Sequence, residues 1–590
     1  MEEQQHNLSQ DSPDIRLRHD VSRYTCHLPR NRSFWLNHAM SYLRRFTSSF
    51  SAIGLIVGLG LACISLTPSM LPRTVLVQGV LTGLVFALGY GIGATLHEIW
   101  EYMGLKGLTG KTARFVTWFF ACAQILMVIY TLGKMTTWQN SIHLLMQMDE
   151  IDSAYPVSVV SIAVVTGLVV VLTFRLILYI TAKVVIAINH FLPHRVAIVL
   201  SITVVAYVLV SLATGVLLKS TLHGLDNTFA VLDRVLDDEY EPPENDLASG
   251  STRSLIEWDD IGSNGKRFVL YGPRPADITT LLGREAKRPI RVYAGYNTGD
   301  SMKERAQIAL DELKRVGGFK RSLLIIAVPT GTGWLDPSAV DTVEYLHAGD
   351  TAIVGLQYSY LPSWFTLLVE PQASSRAAKA LFNAVYDHWS SLAPDGRPRL
   401  YLHGLSLGAF GSADTVDFLT ILSDPIDGAL WSGPPFPSKF WNTITDGRHS
   451  DTPQWRPVFR DSSVIRFMNQ DGFPDFGDAN WGPFRVVYLQ YASDPMTFFS
   501  IDLAYAEPNW LGPNRGPDVS ADLKFYPLVT FLQVAFDMIV STGVPSGYGH
   551  NFAPNHYIDA WIEVTEPQNW SAADTKKLKE YFADFDPNPL

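Results

Sequence analysis

The sequence predicts an all-α bundle of about five transmembrane helices followed by an α/β domain, with a mostly parallel sheet and helices on both faces. Three observations carry this expectation. The chain has 590 residues, more than one ordinary domain holds, and 47% of them are hydrophobic against 17% charged. Its charge is divided, with 16 Lys and Arg against 10 Asp and Glu in residues 1–220, then 30 against 47 in residues 221–590. Long apolar stretches are confined to the first part, whereas in the second short β-rich runs alternate with helical patterns.

Five stretches, near 49–67, 75–96, 114–135, 157–181 and 196–218, suit a hydrocarbon core of about 30 Å. A mostly polar leader, 1–48, precedes the first, and no small-residue cleavage site follows it, so the expectation is an anchor and not a signal peptide. Basic residues mark the cytoplasmic side. They are Arg16, Arg18, Arg23, Arg30, Arg32, Arg44 and Arg45 in the leader, Lys106, Lys111 and Arg114 after the second stretch, and Lys183 and Arg195 after the fourth. With five crossings the leader is cytoplasmic and residue 219 onward lies outside; an interfacial stretch would invert this. Cys26, Cys63 and Cys122 all belong to the first part, and the acidic part without cysteine suits an oxidising compartment. Gly79 with Gly83, and Gly89 with Gly93, are spaced to let helices approach closely. Arg175, near the cytoplasmic end of its stretch, is expected to snorkel to the interface. So few charges lie within the stretches that an ion-coupled transporter is disfavoured. Residues 219–260, with Asp237-Asp238-Glu239 and Pro242-Pro243, read as a linker or neck.

From 261 to 590 the strands are expected at Ile290–Ala294, Leu323–Val328, Thr351–Gln357, a run ending at Leu405, and Arg485–Tyr491, with helices near 301–316, 337–347 and 373–392. Functional sites in such sheets gather at the carboxyl ends of the strands. There the passage Leu402-His403-Gly404-Leu405-Ser406-Leu407-Gly408-Ala409 has the form of a nucleophile elbow, in which Gly404 and Gly408 relieve crowding around an exposed serine. Ser406 is the candidate nucleophile.

A serine hydroxyl needs a base and an acid that orients the base, following it in the order acid, then histidine. Asp494 lies just past the strand run Arg485–Tyr491 and is favoured over Asp471, Asp475 and Asp478, which read as solvated loop residues. His550, in the glycine-rich loop Gly547-Tyr548-Gly549-His550, is favoured over the helix-start His556, and His403 reads as a support of the elbow. Oxyanion donors are expected from the amide of Leu407 and from Thr332 or Gly331 in the loop Pro329-Thr330-Gly331-Thr332-Gly333-Trp334. That loop lacks the lysine and hydroxyl of a phosphate cradle. No cofactor is expected, no residues stand at metal-ligand spacing, and the acidic balance argues against a nucleic-acid partner.

These passages, together with Ser65-Leu66-Thr67-Pro68-Ser69-Met70-Leu71-Pro72-Arg73, Gln357-Tyr358-Ser359-Tyr360 and Trp431-Ser432-Gly433-Pro434-Pro435, resemble a bacterial, actinobacterial-type family of membrane-anchored alpha/beta-hydrolases with a multi-span amino-terminal region. The resemblance runs from about 50 to 570. It implies Ser406, Asp494 and His550 as the triad and places the protein in the bacterial cell membrane, with the catalytic domain extracytoplasmic. It implies no settled substrate. The expected activity is that of a serine esterase, lipase or acyltransferase on a membrane lipid or other ester, with Trp334, Trp431, Trp441 and Trp481 as candidate walls of an acyl pocket. A catalytically silent scaffold of the same fold is the alternative.

Overall fold

The computed structural model describes residues 50–107, 110–211, 240–415, 424–476 and 479–585. The leader 1–48, the first part of the neck (219–239) and Asp478 lie outside the described residues.

The apolar stretches form helices α1 (Ala52–Ile64), α2 (Val75–Tyr102), α3 (Gly110–Leu145), α4 (Pro156–Ile188) and α5 (His194–Ser211). Four of them, α2 to α5, are long and apolar enough to cross a membrane. Helix α1 has 13 residues, which gives it a length of only about 20 Å. The stretch expected to run to residue 67 stops as a helix at Ile64, where Ser65 Oγ turns to Ala62 O and to Thr82 Oγ1 at 2.7 and 3.0 Å.

The two glycine pairs of α2 serve different neighbours. A methyl group on Gly89 would stand 2.8 Å from Gly58 Cα, and one on Gly93 2.9 Å from Gly54 Cα, so α1 lies against this half of α2. On Gly83 it would stand 2.6 Å from Ala163 O, and on Gly79 2.6 Å from Ile162 Cβ, which is the contact with α4. Small residues at crossings let backbones meet, and large apolar ones are turned outward, among them Phe115, Trp118, Ile129, Val164, Leu176 and Tyr207. Arg175 does not reach for the interface alone: it donates to Tyr90 Oη at 3.0 Å, across from α4 to α2.

The second part holds strands β1 (Ile290–Ala294), β2 (Leu323–Val328), β3 (Thr351–Leu356), β4 (Arg399–Leu405), β5 (Gly428–Ser432), β6 (Ile465–Met468) and β7 (Arg485–Leu489). They form one sheet in the order β1-β3-β2-β4-β5-β7-β6, parallel throughout. Both faces are covered, which is why β2 (Leu-Leu-Ile-Ile-Ala-Val) is apolar at every position. Strands β5, of five residues, and β6, of four, are the two that the sequence pattern does not mark. The helices that matter for the site are α6 (Met302–Arg315), α7 (Pro337–Leu346), α8 (Gln372–Ser390), α9 (Leu407–Ala413), α10 (Val529–Asp537) and α11 (Pro554–Thr565).

The described part of the neck, 240–260, packs on the sheet domain. Ser249 Oγ accepts from Tyr293 N of β1 at 3.2 Å, and Glu312 of α6 accepts from Ser254 Oγ and Leu255 N at 2.7 and 3.0 Å. The connection between α1 and α2 does likewise, with Met70 and Leu71 fully buried in the core of the sheet domain. Beside it, Val529 of α10 is buried with Leu81 and Val85 of α2.

Candidate active site

Strand β4 delivers Ser406 to its carboxyl end, where the chain reverses into α9. Ser406 has φ +58° and ψ −124°, a backbone conformation that a residue with a side chain rarely adopts. The turn is held by Ser406 N donating to Ser432 O of β5 at 3.0 Å, and by Phe410 N donating to Ser406 O at 3.0 Å. Glycine is required on both sides. A Cβ on Gly404 would lie 2.3 Å from the carbonyl carbon of Gly408, and one on Gly408 would lie 2.1 Å from Val328 O.

Asp494 follows β7 and is wholly buried. Its Oδ1 accepts from Met496 N at 2.9 Å, and its Oδ2 accepts from Thr497 Oγ1 at 3.0 Å and lies 2.7 Å from His550 Nδ1. A carboxylate so engaged fixes the imidazole with its proton on Nδ1 and leaves Nε2 as a base. His550 N donates to Ser541 O at 2.8 Å, and Gly549 N donates to Ser493 Oγ at 2.9 Å. Gly433, at φ +50°, gives the ring its room: a Cβ there would stand 2.6 Å from His550 Cε1.

Ser406 and His550 line one cavity of about 540 Å³. Among the described residues neither Ser406 Oγ nor His550 Nε2 has a hydrogen-bond partner, although both atoms are buried. Two unengaged groups on one cavity suit a site that closes on its substrate, since such contacts are often long before the substrate is bound. Leu407 is the first residue of α9, so its amide has no acceptor within the helix.

Of the two other expected oxyanion donors, the structure separates Gly331 from Thr332. The Gly331 amide is already spent on Ser363 Oγ at 2.9 Å, and Gly331 does not line the cavity. Thr332 does line it, held by its carbonyl, which accepts from Asn264 Nδ2 at 3.0 Å. Both belong to the tight turn Thr330–Trp334, closed by Thr330 N donating to Trp334 O and Gly333 N donating to Thr330 O, each at 3.0 Å.

The other candidates lie elsewhere. His556 Nδ1 is 2.6 Å from Tyr491 Oη, so it is engaged and not solvated as its helix-start position suggests; burial pushes its imidazole down to about 4. His403 is buried beneath the elbow with Nδ1 2.9 Å from Leu430 O, and burial lowers it to about 4. Asp471 accepts from Asn469 Nδ2 at 3.4 Å, away from the cavity, and Asp475 does not line it either.

Among the four tryptophans only Trp334 lines the cavity. Trp431 is in the core with Nε1 donating to Ser412 Oγ, Trp441 donates to Gln490 Oε1, and Trp481 donates to Glu563 Oε2 beneath the Arg466 guanidinium. Indole nitrogens need partners when buried, and these three find them in the packing. Several lining residues carry no mark in the sequence, and three of them show why. Trp364 and Ile539 carry no motif, while Asp336, which caps α7 through Ser338 N at 2.9 Å, follows the Thr330–Trp334 loop closely enough to have been considered. Burial pushes the Asp336 carboxyl up to about 7.

Comparison with family models places the sequence among known proteins. A model described as "Alpha/beta-hydrolase family" matches residues 290–578, and one described as "Alpha/beta-hydrolase family N-terminus" matches residues 66–273. Neither a curated protein nor a solved structure gave a match.

Proposed function

The chain belongs to an alpha/beta-hydrolase family, and from that premise we propose that it is a membrane-anchored serine hydrolase acting on the ester of a membrane lipid or other amphiphile. The observation that carries this reading is Ser406, strained at the elbow, facing the same cavity as an imidazole whose far nitrogen is bound to Asp494. In the reaction, Ser406 Oγ attacks the ester carbonyl while its proton passes to His550 Nε2. Asp494 stabilises the resulting imidazolium, and the amides of Leu407 and Thr332 receive the charge on the carbonyl oxygen. His550 then returns the proton to the departing alcohol. Water or a second alcohol, activated by the same nitrogen, releases the acyl group from Ser406.

The lipid character of the substrate is supported by the position of the cavity. Met538 and Ile539 on its wall directly continue α10, which packs on membrane helix α2. An enzyme tethered beside its substrate works at high local concentration.

We assign the hydrolase domain to the outer side of a bacterial cell membrane, by an argument that does not depend on whether the short α1 crosses. The connection 65–74 packs on the hydrolase domain, and so does the end of α3, where Ile142 and Met146 are buried in the same core. The turn after α3 carries Asp149, Glu150 and Asp152 and no lysine or arginine. Lys106, Lys111, Arg114, Lys183 and Arg195 flank the opposite ends of the same helices, and positive charge favours the cytoplasm.

Labelling of the purified protein with a fluorophosphonate probe tests the nucleophile. Wild type reacts and Ser406→Ala does not; an unreactive wild type favours the catalytically silent scaffold instead. A cysteine placed in an exposed loop of the hydrolase domain tests the side, and reacts with a membrane-impermeant thiol reagent in intact cells. Reaction only after lysis reverses the assignment.

A further inference from the structure

The connection between α1 and α2 does more than pass the chain from one helix to the next. Arg73 Nε donates to Asp537 Oδ1 at 2.7 Å, with both side chains wholly buried. Asp537 Oδ2 accepts from Met70 N at 3.1 Å and from Ser69 Oγ. One turn earlier on α10, Gln533 Nε2 donates to Thr67 O and Ser65 O at 3.0 and 3.3 Å. Arg73 is itself braced from the membrane helices, its Nη1 donating to Gln78 Oε1 of α2 at 3.0 Å and its amide to Gln139 Oε1 of α3 at 3.1 Å. All of this converges on one face of α10.

The chain leaving α10 then enters the candidate active site. Met538, Ile539, Ser541 and Thr542 line the cavity, and the Ser541 carbonyl receives the amide of His550. Leu71 packs at the same place, for a Cβ on Gly549 would lie 3.2 Å from Leu71 Cδ2. A tether needs none of this. Two charges taken out of water lose their hydration, which only good geometry repays, so a buried pair is a poor choice where apolar packing would hold two parts together.

We propose that the connection 65–74 is a working part of the active site, with Arg73 and Asp537 as positioning residues that set the Ser541 carbonyl and through it the His550 imidazole. The inference rests on the reading of Ser406 and His550 as nucleophile and base. It gives the membrane region a role in turnover of any ester, including a soluble one that needs no bilayer.

The test uses the full-length protein in detergent, with a short p-nitrophenyl ester as substrate and the fluorophosphonate labelling rate as a second measure. Asp537→Asn lowers kcat by about ten- to a hundredfold with KM within about twofold, slows labelling in parallel, and moves the acid limb of the pH profile of kcat. Arg73→Leu/Asp537→Leu removes both buried charges and so recovers part of the thermal midpoint that Asp537→Asn loses, short of the parent because Met70 N and Ser69 Oγ lose their acceptor, while kcat stays low. A double variant with the parent's kcat and pH profile overturns the proposal, because the pair would then serve attachment alone. Arg73→Lys covers the case in which the double variant does not fold: it keeps the charge and loses the planar donor, and unchanged kcat and pH profile in it also overturn the proposal. Failure of the wild type to label is a different result, and counts against the assignment of Ser406.

Discussion

The elbow that carries Ser406 and the loop that carries His550 face one cavity but are held in opposite ways. Ser406 is fixed within a few residues of itself, by the glycines at 404 and 408, by the start of α9 and by one hydrogen bond to the adjoining β5. His550 is fixed by Ser541 before it, by Ser493 and Asp494 after β7 and by Gly433 after β5, and in our proposal also by the seam with the apolar amino-terminal helices. The proposed nucleophile is thus encoded in consecutive residues, whereas the proposed base is placed by the tertiary fold. Damage to the first is expected to be local and steep. Damage to the second is expected to be graded, according to how each support acts on the imidazole.

The steepest expected loss in the imidazole region comes from its acid. Asp494→Asn keeps the oxygen that caps Met496 N, so the fold survives, but an amide in place of the carboxylate holds the histidine in the wrong tautomer. Turnover of a p-nitrophenyl ester falls by about four orders of magnitude near neutral pH. A purified Asp494→Asn protein as active as the parent would remove Asp494 from the site.

A pair of glycine substitutions sharpens the contrast further. In Gly408→Ala the new methyl meets the Val328 carbonyl, which is sheet backbone and cannot yield, so both the thermal midpoint and the labelling rate collapse. In Gly433→Ala the methyl meets the edge of the His550 ring, so the ring is displaced and kcat drops by about ten- to a hundredfold. That residue also sits at φ +50°, which adds about 1 kcal/mol of backbone strain, a minor cost to the fold beside that of Gly408→Ala. Equal damage to fold and activity in both variants would abolish the distinction between the two regions.

This contrast also explains what could be read in the sequence. The elbow is a contiguous pattern between a strand and a helix, so Ser406, Gly404 and Gly408 were visible in it, as were five of the seven strands. Asp494 and His550 were visible only through chain order, combined with a strand before one and glycines around the other. Gly331 could not be told from Thr332, because what engages the Gly331 amide is Ser363, a residue 32 positions away. Gly433 stood inside a recognised passage, yet its task depends on where the His550 ring lies. Least visible of all was the seam: Asp537 in α10 has no local pattern, and its partners in 65–74 are more than 460 positions away. The glycine pairs of α2 were legible because helical spacing is local, while the choice of α1 for one pair and α4 for the other was not.

The smallest expected effect belongs to His556, which competes with His550 for the role of base. Its Nδ1 is engaged with Tyr491 Oη, whose oxygen also accepts from Ala553 N at 3.1 Å, so the histidine braces the start of α11 and does not line the cavity. His556→Gln can keep a hydrogen bond to the tyrosine, and activity changes by less than about tenfold, against the several orders expected of a base. Stability responds instead, and only in acid. Burial, aided by Lys579, lowers the folded imidazole to about 4 from the ordinary 6.5, so as the pH falls the unfolded chain takes up this proton first. The stability that His556 contributes by remaining neutral is therefore complete above about pH 6.5 and is lost as the pH falls from there toward 4. Replacement by glutamine, which does not titrate, makes the fall in thermal midpoint across that interval shallower, with the slope that remains coming in part from His403, likewise buried and lowered to about 4. A loss of several orders of magnitude in kcat with an unchanged acid slope would reverse the roles of the two histidines, and would leave the loop around His550 as the structural element.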